Sequence, residues 1–254
     1  MTNWPEGVQR AVFAELDSTN AEALRRASAG VSSPQWLLAY NQTAARGRRG
    51  RAWSQPAGNF GATLLLPVSG PPPAAAQRSF VAALGLHDAL VDATGRTELF
   101  SLKWPNDVLL TGRKLAGILL ETAGSRADGL MLAIGFGVNL RSVPEVEELE
   151  PAATRPISLF EGSGIVLGPE GFLDLLAPAV AHWEARLQRE GFGPVRSAWL
   201  GRAARLGEPL TARLPGRVVE GRFETIDETG ALVLATAEGR VILPAGDVHF
   251  GIGA

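Results

Sequence analysis

The 254-residue chain contains no cysteine, and only two of its 24 basic residues are lysine. Without cysteine there can be no disulfide and no thiolate metal site, which fits a cytoplasmic protein. The first residues, "MTNWPEGVQRAVFAELDSTN", lack a basic segment followed by an apolar one, so they do not read as a secretory signal. No run reaches the roughly 18 apolar residues of a membrane span. A net charge of -2 gives no global attraction to nucleic acid. The three histidines, His87, His182 and His249, lie far apart without metal-ligand spacing and read as structural or exposed.

The scarcity of lysine points to one place. Lys103 and Lys114 both fall in "SLKWPNDVLLTGRKLAGILLE", residues 101–121. In a chain rich in Ala, Gly, Pro and Arg, coding bias replaces surface lysines by arginine. The two that remain mark sites where a broad guanidinium fork does not substitute for a compact ammonium. Chance proximity of two rare residues is the plain alternative.

What is present describes a globular protein. Hydrophobic residues make up 46% of the chain, and the length allows one large domain, or one plus a small one. A short strand leads into a helix over "STNAEALRRASAG", with Thr19 and Glu22 spaced as a capping box and Gly30 as its end. "WLLAYNQ" and "FGATLLLPV" read as strands around a Gly- and Arg-rich loop, and a helix follows over about 74–93. Four strands at about 99–103, 107–111, 114–121 and 129–139 form a meander. Residues 141–168 read mostly as loop. Helices follow over about 170–190, with Pro178 bending the first, and over about 193–203. From about 206 to 254, short strands and tight turns suggest a small β-barrel that must lean on the main domain, 1–205.

Several stretches carry possible chemistry. "RGRRGR", from Arg46 to Arg51, is open to three readings: a solvated charged loop, a nucleic-acid patch, or a flexible loop closing over an anion. "KWPND" joins Lys103 to Asn106 and Asp107 through a Pro turn; Asp107 either caps that turn or carries Mg²⁺ on a nucleotide phosphate. "GFGVN" offers glycines for close approach of a flat ligand and an exposed Asn139 able to pair with adenine. Ser18, Thr19 and Asn20 cap a helix, or also face a polar ligand.

"STN", "QTAARGRRGRAW", "KWPND", "RKLAGILLE" and "GFGVNL" occur in the order found in biotin–protein ligases, and "GRFETIDETGALVLATAEG" resembles the small SH3-like barrel of the bacterial enzymes. The resemblance covers almost the whole chain. It implies an α+β fold: a catalytic domain of the biotin/lipoate ligase type built on a mixed or antiparallel sheet, followed by that barrel. It implies ATP-dependent, AMP-forming activation of biotin as biotinyl-5′-AMP, with Mg²⁺, and transfer to one lysine of a biotin carboxyl carrier protein domain. On the matching positions, Ser18, Thr19, Asn20 and Gln42 hold biotin. Arg46, Gly47 and Arg48 belong to the closing loop. Lys114 meets the biotin carboxylate and α-phosphate. Arg51, Trp53, Lys103, Asn106, Asp107 (also for Mg²⁺) and Asn139 serve the nucleotide. Lys114, Arg48 and Lys103 are the candidate catalytic groups.

Two departures show. Ala45 stands where the family has glycine before the Arg loop. Only about 15 residues precede "DSTN", so no DNA-binding helix-turn-helix is expected, and neither DNA nor membrane is an expected partner; a homodimer is allowed. The rival within the superfamily is a lipoate or octanoate ligase. The rival of another class is a nucleic-acid-binding regulator using the Arg loop.

Overall fold

The computed structural model describes residues 4–69, 72–126, 129–144, 154–214, 217–244 and 247–249. Part of the turn expected between the last two meander strands, at Ala127 and Asp128, and residues 145–153 of the expected loop lie outside the described residues, as does the His249 side chain.

Seven strands form one mixed sheet: β1 (Gln9–Leu16), β2 (Gln35–Gln42), β3 (Phe60–Val68), β4 (Phe100–Lys103), β5 (Asp107–Leu110), β6 (Arg113–Arg126) and β7 (Gly129–Val138). Their order is β1-β2-β3-β7-β6-β5-β4. β1 and β2 are parallel, because helix α1 (Thr19–Ser28) crosses between them; every other neighbouring pair is antiparallel. The central strands are apolar on both faces, as strands covered on both sides must be. Leu37, Leu65, Met131 and Ala133 pack with Ala23 and Ala27 of α1 on one face. Their chain neighbours Trp36, Leu38, Leu64 and Ile134 join the large core on the other, as the two-residue side-chain period requires.

That second face is covered by α3 (Arg78–Thr94) and α5 (Pro169–Glu190), with the short α2 (Pro72–Ala76) before α3, and α4 (Leu159–Ser163) and α6 (Phe192–Leu200) on either side of α5. The helix expected over about 74–93 is thus two, broken at Gln77. Gly85 of α3 allows the backbone of Val180 to come so close that a Cβ there would sit 2.8 Å from Val180 Cα.

Two sequence expectations need correction. Ser18, not Thr19, is the N-cap of α1: its side chain accepts from the Ala21 N–H, while Glu22 pairs with Arg25 and Arg26. Residues 141–168 also contain α4, whose N-cap Ser158 accepts from Glu161 N–H at 3.1 Å. The spacing Ser158-x-x-Glu161 is the capping-box signature, so the signal was there to read.

The C-terminal strands β8 (Pro209–Leu214), β9 (Arg217–Ile226), β10 (Leu232–Thr236), β11 (Gly239–Leu243) and β12 (Asp247–His249) form a five-stranded antiparallel sheet ordered β11-β10-β9-β8-β12. It does lean on the larger part. The turn at Gly230, with φ of +89°, lies on Phe80; a Cβ there would meet the ring at 2.5 Å. Trp104 Nε1 donates to the Gly230 carbonyl at 3.0 Å.

Candidate active site

The sheet register builds the floor of the site. Gly61 of β3 lies opposite Gly137 of β7, Gly137 opposite Gly117 of β6, and Gly117 opposite Asp107 of β5. Three bare positions followed by a carboxylate therefore run across four adjacent strands, about 14 Å at ordinary strand spacing. Glycine lets other groups lie close on this row, Gln42 and Gln55 on Gly61 and Trp53 on Gly137, and the cavity of about 190 Å³ is lined by Gly117, Gly135 and Gly137 beside the N-terminus of α1. Its wall includes Ser18, Thr19, Asn20, Gln42, Arg46, Gly47, Arg48, Arg51, Trp53, Asn106, Asp107 and Lys114. Twelve of the fourteen positions singled out from the sequence thus meet in one place.

The end above Gly61 is neutral and tightly bonded. Thr19 donates its backbone N–H to Gln42 Oε1 at 2.7 Å, and its hydroxyl donates to the same oxygen at 3.1 Å. Gln42 Nε2 donates to Gln55 Oε1 at 2.5 Å. Asn20 Nδ2 donates to Glu121 Oε2 at 2.7 Å, while Asn20 Oδ1 accepts from Thr63 at 2.6 Å. Ser18, Thr19 and Asn20 are all at most 5% exposed. The two glycines beneath make this possible. A Cβ on Gly61 would fall 2.2 Å from Gln55 Oε1, and one on Gly135 would fall 2.3 Å from Asn20 Oδ1.

The other end is charged. Lys114 Nζ lies 2.7 Å from Asp107 Oδ1 as an ion pair, without the alignment of a hydrogen bond; that oxygen is buried with no hydrogen-bond partner among the described residues. Lys114 is held by its backbone, donating to Arg155 O at 2.8 Å and accepting from Ile157 N at 2.9 Å. Arg46, Arg48 and Arg51 come from the loop between β2 and β3. The loop is closed by Gly47 N–H donating to Arg51 O at 2.7 Å and Trp53 N–H donating to Ala45 O at 3.0 Å. Arg48 Nη1 donates to Asn106 Oδ1 at 3.4 Å, and Asn106 Nδ2 donates to Ile118 O at 2.6 Å. Arg46 Nη2 is 3.7 Å from Glu121 Oε1. Ala45, in place of a family glycine, is buried at the base of this loop.

Of the glycines of "GFGVN", expected to admit a flat ligand, Gly137 lies under the chain's own Trp53 indole, where a Cβ would sit 2.4 Å from the ring, and Gly135 lies under Asn20; Lys114 Nζ is 5.8 Å from the Trp53 ring centroid. Two expected residues do not reach the cavity wall. Lys103 is buried and donates from Nζ to Thr154 Oγ1 at 2.7 Å. Asn139 is buried rather than exposed. Its backbone bridges Leu115 and Leu159, and its amide donates to Ile157 O at 3.4 Å. The sequence reading missed Gln55, Thr63 and Glu121, which support the neutral end from behind.

Next to the site, Asp17 accepts from Ser18 N–H and from Arg25. Its carboxyl is held down to about 2, first by the Arg25 side-chain hydrogen bonds and then by the Ser18 N–H. Among the described residues no cluster of three or more acidic or histidine side chains exists to cage a metal ion. Among the wall residues named above, Asp107 supplies the only carboxylate.

Comparison with known proteins follows the same division. The profile described as "Biotin/lipoate A/B protein ligase family" matches residues 12–139, and that described as "Biotin protein ligase C terminal domain" matches residues 206–251. The chain belongs to the biotin/lipoate A/B protein ligase family. Within it, the C-terminal match places the chain with the biotin protein ligases rather than the lipoate branch. It is 53% identical to a biotin–[acetyl-CoA-carboxylase] ligase of Paracoccus denitrificans, over 94% of this chain and 100% of that one. It is 32% identical to the bifunctional ligase/repressor BirA of Escherichia coli, over 90% of this chain and 70% of BirA. A biotin protein ligase from Aquifex aeolicus, solved in complex with biotin and ATP, superposes with a TM-score of 0.79 at 26% identity, covering 94% of this chain and 97% of that one.

Proposed function

We propose that this biotin protein ligase family member joins the carboxylate oxygen of biotin to the α-phosphorus of ATP, releasing pyrophosphate, and then passes the biotinyl group to a lysine amine of a biotin carboxyl carrier domain, releasing AMP. The observation that carries this reading is the polarity of the single row across the sheet: neutral donors and acceptors above Gly61, cations and one carboxylate around Gly117. Biotin has the same polarity, a neutral ureido ring at one end and a carboxylate at the other.

Each residue then has a task. Ser18, Thr19 and Gln42 carry hydroxyls and an amide, which supply both the donors and the acceptors a ureido group needs. Lys114, the compact cation on the strand floor, stabilises negative charge where two anions meet, carboxylate on phosphate. Arg46, Arg48 and Arg51 add charge-assisted contacts from a loop that shields a mixed anhydride from water. Asp107 is the wall carboxylate that would hold Mg²⁺, which is commonly held by one carboxylate plus substrate phosphates, once Lys114 leaves its ion pair with Oδ1 for the ligand's anions. That ion would supply positive charge to the departing pyrophosphate.

Lys103 and Asn139 act from behind the cavity in this arrangement; a nucleotide contact for them requires movement of the 154–159 segment that they bond. The division into a catalytic part, 1–205, and a barrel, 206–254, is part of the same reading. No helix of the described residues is long and apolar enough to cross a membrane.

The test is incubation with ATP, Mg²⁺ and either biotin or lipoate, with the acyl-adenylate detected by mass. Biotinyl-5′-AMP is the expected product; lipoyl or octanoyl adenylate without the biotinyl one would overturn the reading.

A further inference from the structure

The neutral end of the cavity is wired between groups that can only accept hydrogen bonds, and the shortest contact at each side sets its direction. On one side it is made to the carboxylate of Glu121 on β6, and on the other to the backbone carbonyl of Ala39 on β2. Glu121 Oε2 lies 2.7 Å from the Asn20 amide. A carboxylate has no proton to give, so the Asn20 atom facing it is the nitrogen. Asn20 Oδ1 is thereby turned to Thr63, 2.6 Å away. Thr63 Oγ1 is also 2.8 Å from Thr19 Oγ1. Its hydroxyl has one proton, and the amide oxygen, which cannot return a donation, takes it.

The same logic runs from the other side. Gln55 Nε2 faces the Ala39 carbonyl at 3.1 Å, so Gln55 Oε1 faces Gln42 Nε2. Gln42 Oε1 is then turned toward Thr19, where it collects both the N–H and the hydroxyl. With its own proton given to Asn20, Thr63 Oγ1 can only accept from Thr19 at 2.8 Å, so the Thr19 hydroxyl proton is drawn back toward Thr63 and Gln42, and its lone pairs stay open at the cavity wall. Ser18 Oγ already accepts from Ala21 N–H at 3.4 Å, so its own proton is available to donate. The wall presents an acceptor at Thr19 beside a donor at Ser18.

We propose that Glu121, held also by Arg46 at 3.7 Å, is a positioning residue for ligand specificity: by fixing the Asn20 nitrogen it sets the direction of the Asn20–Thr63–Thr19 relay and makes Thr19 an acceptor for a ureido N–H. This rests on the biotin reading above. Glutamine at position 121 presents either an oxygen or a nitrogen and leaves only the longer contact to the Leu119 carbonyl, 3.5 Å, to hold the Asn20 nitrogen, so it lets the Asn20 amide turn over. Thr63 is then released to donate to Thr19 instead of accepting from it, which occupies a Thr19 lone pair and frees the Thr19 proton for the ligand, so Thr19 turns from acceptor to donor.

The test uses biotin and a carbamate analogue in which oxygen replaces one ureido N–H. In the wild type the analogue sets a lone pair against the open lone pairs of Thr19. Glu121→Gln is expected to raise the KM for biotin about fivefold, that for the analogue less than twofold, and that for ATP less than twofold. The preference for biotin over the analogue therefore shrinks. Thr63→Val cuts the relay at its middle. It should shrink the preference by itself, and Glu121→Gln should add nothing in its background, the non-additivity of residues acting in one chain. Equal weakening of both compounds, an unchanged preference, or additive effects of the two substitutions would overturn the proposal. A wild type that forms no biotinyl-adenylate would instead overturn the functional reading on which it rests.

Discussion

The two ends of the glycine row are built by opposite means. Above Gly61 and Gly135, the side chains are buried and bonded to one another, with their amides oriented by groups outside the wall. Around Gly117, the charges come largely from a loop whose Arg46, Arg49, Gly50, Arg51 and Ala52 are exposed. One end is preorganised and the other is completed by what binds. A site that must hold a neutral ring for two successive reactions benefits from fixed partners, whose ordering cost is met on folding. A site that must bring two anions together, shield the product and then admit a third group benefits from charges that can close and reopen.

The largest expected effect removes the one cation fixed on the strand floor. Lys114→Ala should slow adenylate formation by about two to three orders of magnitude, the usual loss for one electrostatic group in a site of this kind. Lys114→Arg should do nearly as badly, because the wider fork must displace Asp107, 2.7 Å away, or Trp53. Pyrophosphate release under single turnover measures both. An arginine variant retaining most of the wild-type rate would make the charged end as adaptable as its loop, and chance would explain the two lysines.

Next comes the preorganised end. Gly135→Ala places a Cβ 2.3 Å from Asn20 Oδ1, and overpacking of this kind typically costs about 1–3 kcal/mol. The KM for biotin should rise roughly 10- to 100-fold while that for ATP stays within about threefold. Equal losses for both substrates would mean that the two ends are one unit.

Arg48→Gly should act in the reverse sense. Biotin still finds Ser18, Thr19 and Gln42, and Lys114 remains, so the adenylate is still made. The loss of a charge-assisted contact worth about 1.5–3 kcal/mol, with three glycines among residues 47–50, makes the closed loop harder to order. The intermediate should then escape and label bystander amines. Biotin label on an unrelated protein, compared at equal carrier labelling, measures it; a variant no leakier than wild type would assign retention to another residue.

The smallest effect concerns the frame behind both ends. Asp88 of α3 accepts from Trp183 at 2.7 Å, contacts the His87 ring and pairs with Arg202. Burial alone would raise its pKa, but the His87 and Trp183 hydrogen bonds and the Arg202 charge outweigh that and hold it below the ordinary 3.8. A folded-state value below the unfolded one contributes stability above about pH 4 that is lost as the pH falls through the two values. Asp88→Asn should flatten the fall of Tm below that pH. An unchanged acid slope would move the acid sensitivity elsewhere, with Asp17 the next group to replace.

Legibility in the sequence divides along the same line. Groups that line the cavity sit in short motifs of unusual composition, so Ser18, Gln42, the Arg loop, Asn106, Asp107 and Lys114 were readable and do meet in one place. Groups that orient them do not announce themselves. Thr63 is the one polar side chain of an apolar strand and Glu121 follows the apolar run Leu115–Leu120, and only the fold brings both to Asn20. Asn139 was misread as exposed because a strand end next to glycines looks open. The 157–159 segment that covers it leads into α4, and although the Ser158-x-x-Glu161 cap marks that helix, nothing in the local pattern says that it packs over the end of β7. The order of strands, with β7 inserted between β3 and β6, was likewise beyond a reading of local pattern.

The indole of Trp53 pressed on Gly137 makes the chain its own spectroscopic probe. The chain has six tryptophans; Trp36, Trp104, Trp183 and Trp199 are buried in the core, and Trp53 stands in the cavity wall. Anything entering the row of glycines must slide over that ring or push it aside, and either event changes the polarity the excited indole senses. Emission followed in real time, with Trp53→Phe as the dark reference, would therefore time the arrival of each ligand separately, with no dye attached to the protein.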